Sequence, residues 1–128
     1  MYVDADVIFA VLKPNDRHLD FARKIINSKE KLYTSTVTFV ELEIVLKREL
    51  SDFLSQNVLT LVLEKIPVLE IIHFDKKILD KSLELRKQFG VGIFDSIHAA
   101  TALLYDKKIA SSDHIFDRIN SLKRIKPD

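Results

Sequence analysis

The chain has 128 residues, 47% of them hydrophobic and 30% charged, enough for one domain with a genuine core, expected over residues 1–128, and hardly enough for two. Its 20 Lys and Arg against 19 Asp and Glu leave a formal net charge of +1, which excludes a large basic field as the means of holding nucleic acid, although metal ions can supply positive charge at a site. There is no cysteine, which excludes disulfides and thiolate chemistry and fits a reducing cytoplasm.

The opening apolar run is cut at Asp4, a residue type disfavoured inside strands and favoured where they end. A short buried strand ending at Asp4 is therefore expected, followed by helix from Ala5 or Asp6 through Val7, Ile8, Val11 and Leu12 to Pro14. Past the turn cluster Lys13-Pro14-Asn15-Asp16, Leu19, Ala22, Ile25 and Ile26 recur at helical spacing. Leu32-Tyr33-Thr34 is a short β-prone segment ending at Ser35. Helix resumes at Thr36–Thr38 and runs to about Leu50, and Ser51-Asp52 forms a second N-cap. Phe53 to Ile66, rich in Leu and Val on several sides, is expected to be the second arm of a helical hairpin, stopped by Pro67. Val68 to Ile72 reads as a strand. Asp75 caps a helix through Ile78, Leu79, Leu83 and Arg86 that ends at Gly90. Phe94 to Tyr105 is helical, Lys108 to Ser111 strand-like, and a short helix is expected around His114–Asn120. Arg124-Ile125-Lys126 is a last edge strand. Met1 leads directly into the first strand, and no apolar run approaches the ~20 residues that span a bilayer. The expectation is a soluble, cytoplasmic α/β domain with no membrane partner.

Most chemical motifs are absent. With two glycines there is neither a GxxxxGK[ST] nor a GxGxxG phosphate loop. His18, His73, His98 and His114 lack metal-ligand spacing, and no nucleophile elbow supports a Ser-His-Asp triad. Carboxylates remain. In an open parallel α/β sheet, ligands bind at the carboxyl ends of the strands, where Asp4 would stand. Asp4 could equally cap the helix that follows. Glu41 could close a capping box with Thr38, yet its helical neighbours Val37, Ile44 and Val45 are apolar, whereas Glu43 has Lys47 at i+4 for a solvated ion pair. An inward carboxylate needs a partner, commonly a cation. Asp95 suits the first turn of its helix through the macrodipole, but Ile93, Phe94 and Ile97 enclose it. Asp113 ends a strand as Asp4 does, with Asp117 at i+4.

Four segments together resemble a family: Val3-Asp4-Ala5-Asp6-Val7-Ile8, Thr36-Val37-Thr38-Phe39-Val40-Glu41-Leu42, Phe94-Asp95-Ser96-Ile97-His98-Ala99-Ala100-Thr101-Ala102, and Ser111-Ser112-Asp113-His114-Ile115-Phe116-Asp117. In order and spacing they resemble the PIN-domain ribonucleases, above all the small VapC-type toxins of toxin–antitoxin pairs, over essentially the whole chain. The resemblance implies a three-layer α/β fold with a short, mostly parallel central sheet flanked by helices. It also implies Asp4, Glu41, Asp95 and Asp113 as an acidic quartet, Asp117 as an auxiliary, RNA as substrate and a cognate antitoxin as partner. The family usually carries Asn two residues after the first Asp; here that residue is Asp6, whose extra charge bears on metal binding.

Phosphodiester hydrolysis fits such a quartet, because Mg²⁺ or Mn²⁺ on oxygen ligands with open positions activates water and stabilises the developing charge. Asp4 and Asp95 are expected as principal metal ligands, Glu41 and Asp113 as second-site or water-mediated ligands, and Thr36, Ser111 and Ser112 as positioners of water. Single-stranded or looped RNA offers the accessible phosphate that in-line attack needs. Asp4-Ala5-Asp6 and Asp113-x-x-x-Asp117 also resemble a haloacid-dehalogenase-type phosphatase with Asp4 as nucleophile, although the Gly-Asp of that family is missing. A receiver domain needs its acceptor Asp at the end of the third strand, which here runs into His73-Phe74. A catalytically silent binding module is the non-enzymatic alternative. Leu54, Val58, Leu59, Leu61, Val62 and Leu63 offer more apolar surface than one helix face needs, which points to a homodimer or to cover by an antitoxin.

Overall fold

The computed structural model describes residues 1–128. Its strands are β1 (Tyr2–Val3), β2 (Tyr33–Ser35), β3 (Glu70–Ile72), β4 (Lys108–Ala110) and β5 (Lys123–Ile125). They form one five-stranded sheet, parallel at every pairing, in the order β3-β2-β1-β4-β5. The helices are α1 (Ala5–Leu12), α2 (Leu19–Ile26), α3 (Thr36–Glu49), α4 (Asp52–Gln56), α5 (Val58–Lys65), α6 (Lys76–Phe89) and α7 (Ile93–Leu103), with a 3₁₀ turn at His114–Arg118. No helix is long and apolar enough to cross a membrane.

Successive strand residues point to opposite faces, and β1 divides the core accordingly. Val3 joins Val7, Ile8, Ile25, Leu46 and Val62 beneath α1, α2, α3 and α5. Tyr2 joins Ile78, Leu85, Ile97, Ile109 and Phe116 beneath α6, α7 and the 3₁₀ turn. The sheet is thus covered on both faces, which is why its strands read as short apolar runs and not as alternating ones. Truncating a fully buried core residue such as Leu46 to Ala should cost about 2–5 kcal/mol.

Local signals set most of the boundaries. Ser35, Ser51 and Asp75 cap α3, α4 and α6 by accepting from Val37 N, Leu54 N and Ile78 N. Gly90 ends α6 at φ 65°, where an added Cβ would meet nothing within 4 Å. The demand for glycine there is one of backbone conformation alone, worth roughly 1–2 kcal/mol.

Four details differ from the sequence expectation. The second arm of the hairpin is broken at Asn57 into α4 and α5, the Asn57 side chain donating to Phe53 O and so offering the backbone an alternative to continued helix. β3 begins only at Glu70, with Val68 67% exposed. Thr38 is no cap: α3 starts two residues earlier, and the buried Thr38 hydroxyl faces Tyr2 and Thr34. Glu43 and Lys47 do not pair; both are exposed, and solvent screening leaves little to hold them together.

From β1 the chain steps outward through β2 to β3, then crosses back by α6 and α7 to β4 on the other side of β1. The switch point between β1 and β4 is where open α/β sheets bind ligands. The ladder runs on past both strands there: Asp4 N donates to Ala110 O at 3.1 Å, and Ser111 N to Ile125 O at 3.1 Å.

Candidate active site

Asp4 stands at this switch point, buried to 6% exposure. One carboxylate oxygen, Oδ1, accepts from Ala5 N at 2.8 Å at the start of α1, and Oδ2 accepts from Ser111 Oγ at 2.6 Å. Cap and site residue are therefore the same side chain. Burial pushes its pKa up to about 7, His98 opposing the rise while the Asp6 and Glu41 charges add to it.

Two other donors converge on Asp4. Glu41 projects from α3 with its side chain 22% exposed, and Oε2 lies 3.4 Å from His98 Nε2. His98, from α7, is fully buried, and its Nε2 also lies 3.7 Å from Asp4 Oδ1. Ligand atoms of Asp4, Glu41 and His98 all fall within 4.8 Å of one another. Burial works against a charged His98, but the Tyr2, Glu41 and Asp4 groups around it hold its pKa well above the ordinary value.

Behind His98 runs a chain of buried hydroxyls. Nδ1 lies 2.6 Å from Tyr2 Oη, which is 3.0 Å from Thr38 Oγ1, itself 2.8 Å from Thr34 Oγ1. Thr34 Oγ1 donates to Val3 O at 2.8 Å.

Asp95 is half-buried in the first turn of α7, its pKa raised by burial and by the Asp113 and Glu41 charges, with His98 opposing. Asp113 is exposed at the rim; its Oδ1 accepts from Ile115 N at 2.9 Å and its N–H donates to Ser111 Oγ at 3.0 Å. Asp6 Oδ2 accepts from the Ser112 N–H at 2.8 Å and from the Ser112 hydroxyl, tying α1 to the loop after β4, while its buried Oδ1 has no partner. Thus Asp4 and Glu41 are brought together with His98, and Asp95 lies close enough to feel the charges of Asp113, His98 and Glu41.

Two residues read as auxiliaries from the sequence are engaged elsewhere. Asp117 pairs with Arg124, at 2.8 Å to Nε and 2.7 Å to Nη2, and the guanidinium holds its pKa low. Thr36 Oγ1 accepts from Phe74 N at 3.1 Å, fastening α3 to the turn before α6.

His98 is the site residue that sequence reasoning missed. It was available as an i+3 neighbour of Asp95 on one helix face, a spacing that a search for paired histidines overlooks.

Glu41 and Asp6 border an open cleft of about 280 Å³ lined also by Ala5, Phe9, Leu42, Val45 and Glu49. The larger hollows lie elsewhere, about 420 Å³ between α2 and the end of β5 and about 440 Å³ between α3 and α4. A crevice of this kind does not engulf a small molecule as enclosed ligand pockets do. Asp4, Glu41 and His98 bring two carboxylates and an imidazole from three separate elements, Glu41 partly solvated, a donor set that suits a divalent cation with open coordination positions.

A parallel α/β sheet with acids converging at its switch point defines a class of fold, and comparison with known proteins specifies it. The PIN domain family model matches residues 1–122; the chain belongs to the PIN domain family. A search of curated protein sequences finds no match. Among solved structures, FitAcB from Neisseria gonorrhoeae is 25% identical with a TM-score of 0.72, covering 98% of this chain and 96% of that one. VapC20 from Mycobacterium tuberculosis, described as a Sarcin-Ricin loop cleaving toxin, is 17% identical with a TM-score of 0.79 and covers 98% of both chains. VapBC2 from Rickettsia felis, bound to a promoter DNA fragment, is 18% identical with a TM-score of 0.76, covering 99% and 98%.

Proposed function

We propose that residues 1–128 form a single PIN-like domain that acts as a metal-dependent endoribonuclease, hydrolysing RNA phosphodiester bonds as the toxin of a toxin–antitoxin pair. The observation that carries this reading is the convergence of Asp4 and Glu41, flanked by Asp95 and Asp113, at the switch point of the sheet. Asp4 and Asp95 are the principal ligands of a divalent cation, and Glu41 and Asp113 complete the set. When bound, Mg²⁺ or Mn²⁺ offsets the charge of the phosphodiester and lowers the pKa of water. The chain's own part is to hold these acids in place. Ser111 fixes Asp4 against β4, Ser112 fixes Asp6, and the open cleft admits a looped or single-stranded RNA whose phosphate can deform.

The phosphatase alternative loses support. Asp117, its metal-binding end, is tied to Arg124. The relatives of known structure include a toxin–antitoxin complex from Klebsiella pneumoniae, which supports a cognate antitoxin as partner. A homodimer is the proposed assembly. Val40 and Ile44 on α3 and Leu59 and Leu63 on α5 form i,i+4 apolar pairs that remain 41–54% exposed, the surface a second copy would cover.

The test is cleavage of structured RNA by the purified protein. Activity abolished by EDTA and restored by Mg²⁺ or Mn²⁺ is expected. Undiminished cleavage in EDTA would reject the metal mechanism, and no cleavage with any divalent ion would favour the silent binding module.

A further inference from the structure

The hydroxyl chain behind His98 has a direction. Thr34 has one hydroxyl proton and gives it to Val3 O, so in its contact with Thr38 it can only accept. Thr38 therefore donates to Thr34, and its own proton is used. Tyr2 must then donate to Thr38, at 3.0 Å. With its single proton placed there, Tyr2 Oη can only accept from His98 Nδ1, at 2.6 Å. The sequence of donors is His98 Nδ1–H to Tyr2, Tyr2 to Thr38, Thr38 to Thr34, and Thr34 to the backbone. All four side chains are buried, each at 0% exposure, so no solvent molecule competes to reverse it.

One tautomer follows. The proton of a neutral His98 sits on Nδ1, and the lone pair of Nε2 points at Asp4 Oδ1 and Glu41 Oε2, 3.7 and 3.4 Å away. Without metal, a proton on Nε2 answers these carboxylates, donating to Glu41 Oε2 at 3.4 Å; a cation bound here takes that proton's place. Metal-ligating imidazoles are held in this way, one ring nitrogen donating to a fixed partner so that the other is presented to the ion. The spacing also suits a shared ion: donors at about 2.0–2.2 Å from a first-row metal stand roughly 3.0–3.5 Å apart, near the 3.4 and 3.7 Å from Nε2 to Glu41 and Asp4, with all three ligand atoms within 4.8 Å.

We propose that His98 Nε2 is a direct ligand of the divalent cation, forming with Asp4 and Glu41 a mixed nitrogen–oxygen site that selects Mn²⁺ over Mg²⁺. This rests on the metal-dependent reading above and adds to it the identity of the ligand and the preference among ions. Mg²⁺ favours all-oxygen surroundings, whereas imidazole strengthens binding of transition ions. Tyr2, Thr38 and Thr34 are positioning residues that fix the tautomer.

The test is spectroscopic. Mn²⁺ added to the metal-free full-length protein is examined by electron spin-echo modulation for nitrogen hyperfine coupling, and Mn²⁺ and Mg²⁺ affinities are measured by calorimetry. The wild type should show one directly bound nitrogen. His98→Gln should lose that coupling and bind Mn²⁺ about tenfold or more weakly, while Mg²⁺ affinity changes far less. Mn²⁺ bound without nitrogen coupling overturns the proposal and leaves the carboxylate site standing. No binding of either ion overturns both. An equal loss of Mn²⁺ and Mg²⁺ affinity in His98→Gln also overturns it, reducing His98 to a positioning residue. The wild-type spectrum decides the matter even where the variant fails to fold.

Discussion

Ser111 and Asp4 meet across the switch point of the sheet: the Ser111 hydroxyl donates to Asp4 Oδ2 at 2.6 Å and accepts from Asp113 N at 3.0 Å. One hydroxyl thus ties the acid at the end of β1 to the loop that carries the acid after β4. Ser111→Ala leaves a buried carboxylate oxygen without its donor, a loss of about 1–3 kcal/mol. Chemical denaturation at pH 8 in EDTA should show that loss, and RNA cleavage should fall with it. A variant as stable and as active as the wild type would mean that the bond organises nothing.

Protons should stabilise the metal-free protein. The folded-state pKa of Asp4 is pushed up to about 7 by burial, so the cost of ionising it is absent below its unfolded value of about 4, grows as pH rises, and is complete above 7. His98 acts in the same sense. Its folded pKa is raised by Tyr2, Glu41 and Asp4 despite burial, so its contribution is fully present below about 6.5 and is lost as pH rises through the folded value. Asp106 and Asp117, whose pKa values are lowered, matter only in more acid solution. Unfolding free energy in EDTA should therefore fall between pH 5 and pH 8, and saturating Mn²⁺ should flatten the curve. A rise over that range in EDTA would contradict the assignment.

Two glutamates on one helix should behave differently. Glu41 faces His98, while Glu43 is exposed with no ion-pair partner. Glu41→Gln should reduce cleavage by orders of magnitude, and Glu43→Gln should leave it within a few-fold. Equal effects on kcat/KM would place the wrong face of α3 toward the site.

The apolar pairs on α3 and α5 give a test of assembly. Val62 is fully buried in the protein's own core, so a charge there would unfold the chain and say nothing about a partner. Leu59 and Leu63, 48% and 47% exposed, are the informative positions. Leu59→Lys with Leu63→Lys should convert a dimer to a monomer in sedimentation without lowering the melting temperature of the monomer. A wild type that sediments as a monomer at micromolar concentration would remove the basis for a homodimer.

What could be read from the sequence was whatever leaves a local mark. Asp4 interrupts an apolar run, Asp75 and Gly90 bracket an amphipathic stretch, and Ser51 opens a new helix; each is a short-range backbone event, and the structure has all of them. The break at Asn57 left no such mark, because Leu and Val on every side erase the periodicity that would show where one helix stops. His98 was hidden for a different reason. Its significance lies in Tyr2, Asp4 and Glu41, which come from β1, the turn after it and α3, and no spacing within α7 encodes them. Asp117 shows the converse: its i+4 spacing from Asp113 looked like chemistry, yet Arg124, seven residues on, takes its carboxylate.

Asp95 is where folding and function should pull apart. Its pKa is raised by burial and by the neighbouring Asp113 and Glu41 charges, so ionisation above its folded-state pKa costs stability in the metal-free protein. Asp95→Asn removes that cost while keeping the shape of the side chain. Half of its surroundings is solvent, which screens the repulsion, so the gain at pH 7–8 should be on the order of 1 kcal/mol and raise the melting temperature by roughly 3–6 °C. The opposing effect is the loss of an acid in the first turn of α7, worth about 0.3–1 kcal/mol. Added Mg²⁺ should stabilise the wild type more than the variant, because an ion bound only by the folded state shifts the equilibrium in proportion to its affinity. RNA cleavage by Asp95→Asn should be abolished. Melting in EDTA and in Mg²⁺ separates the two roles. If the variant melts lower than the wild type in EDTA and Mg²⁺ stabilises both equally, Asp95 serves the helix and not the metal.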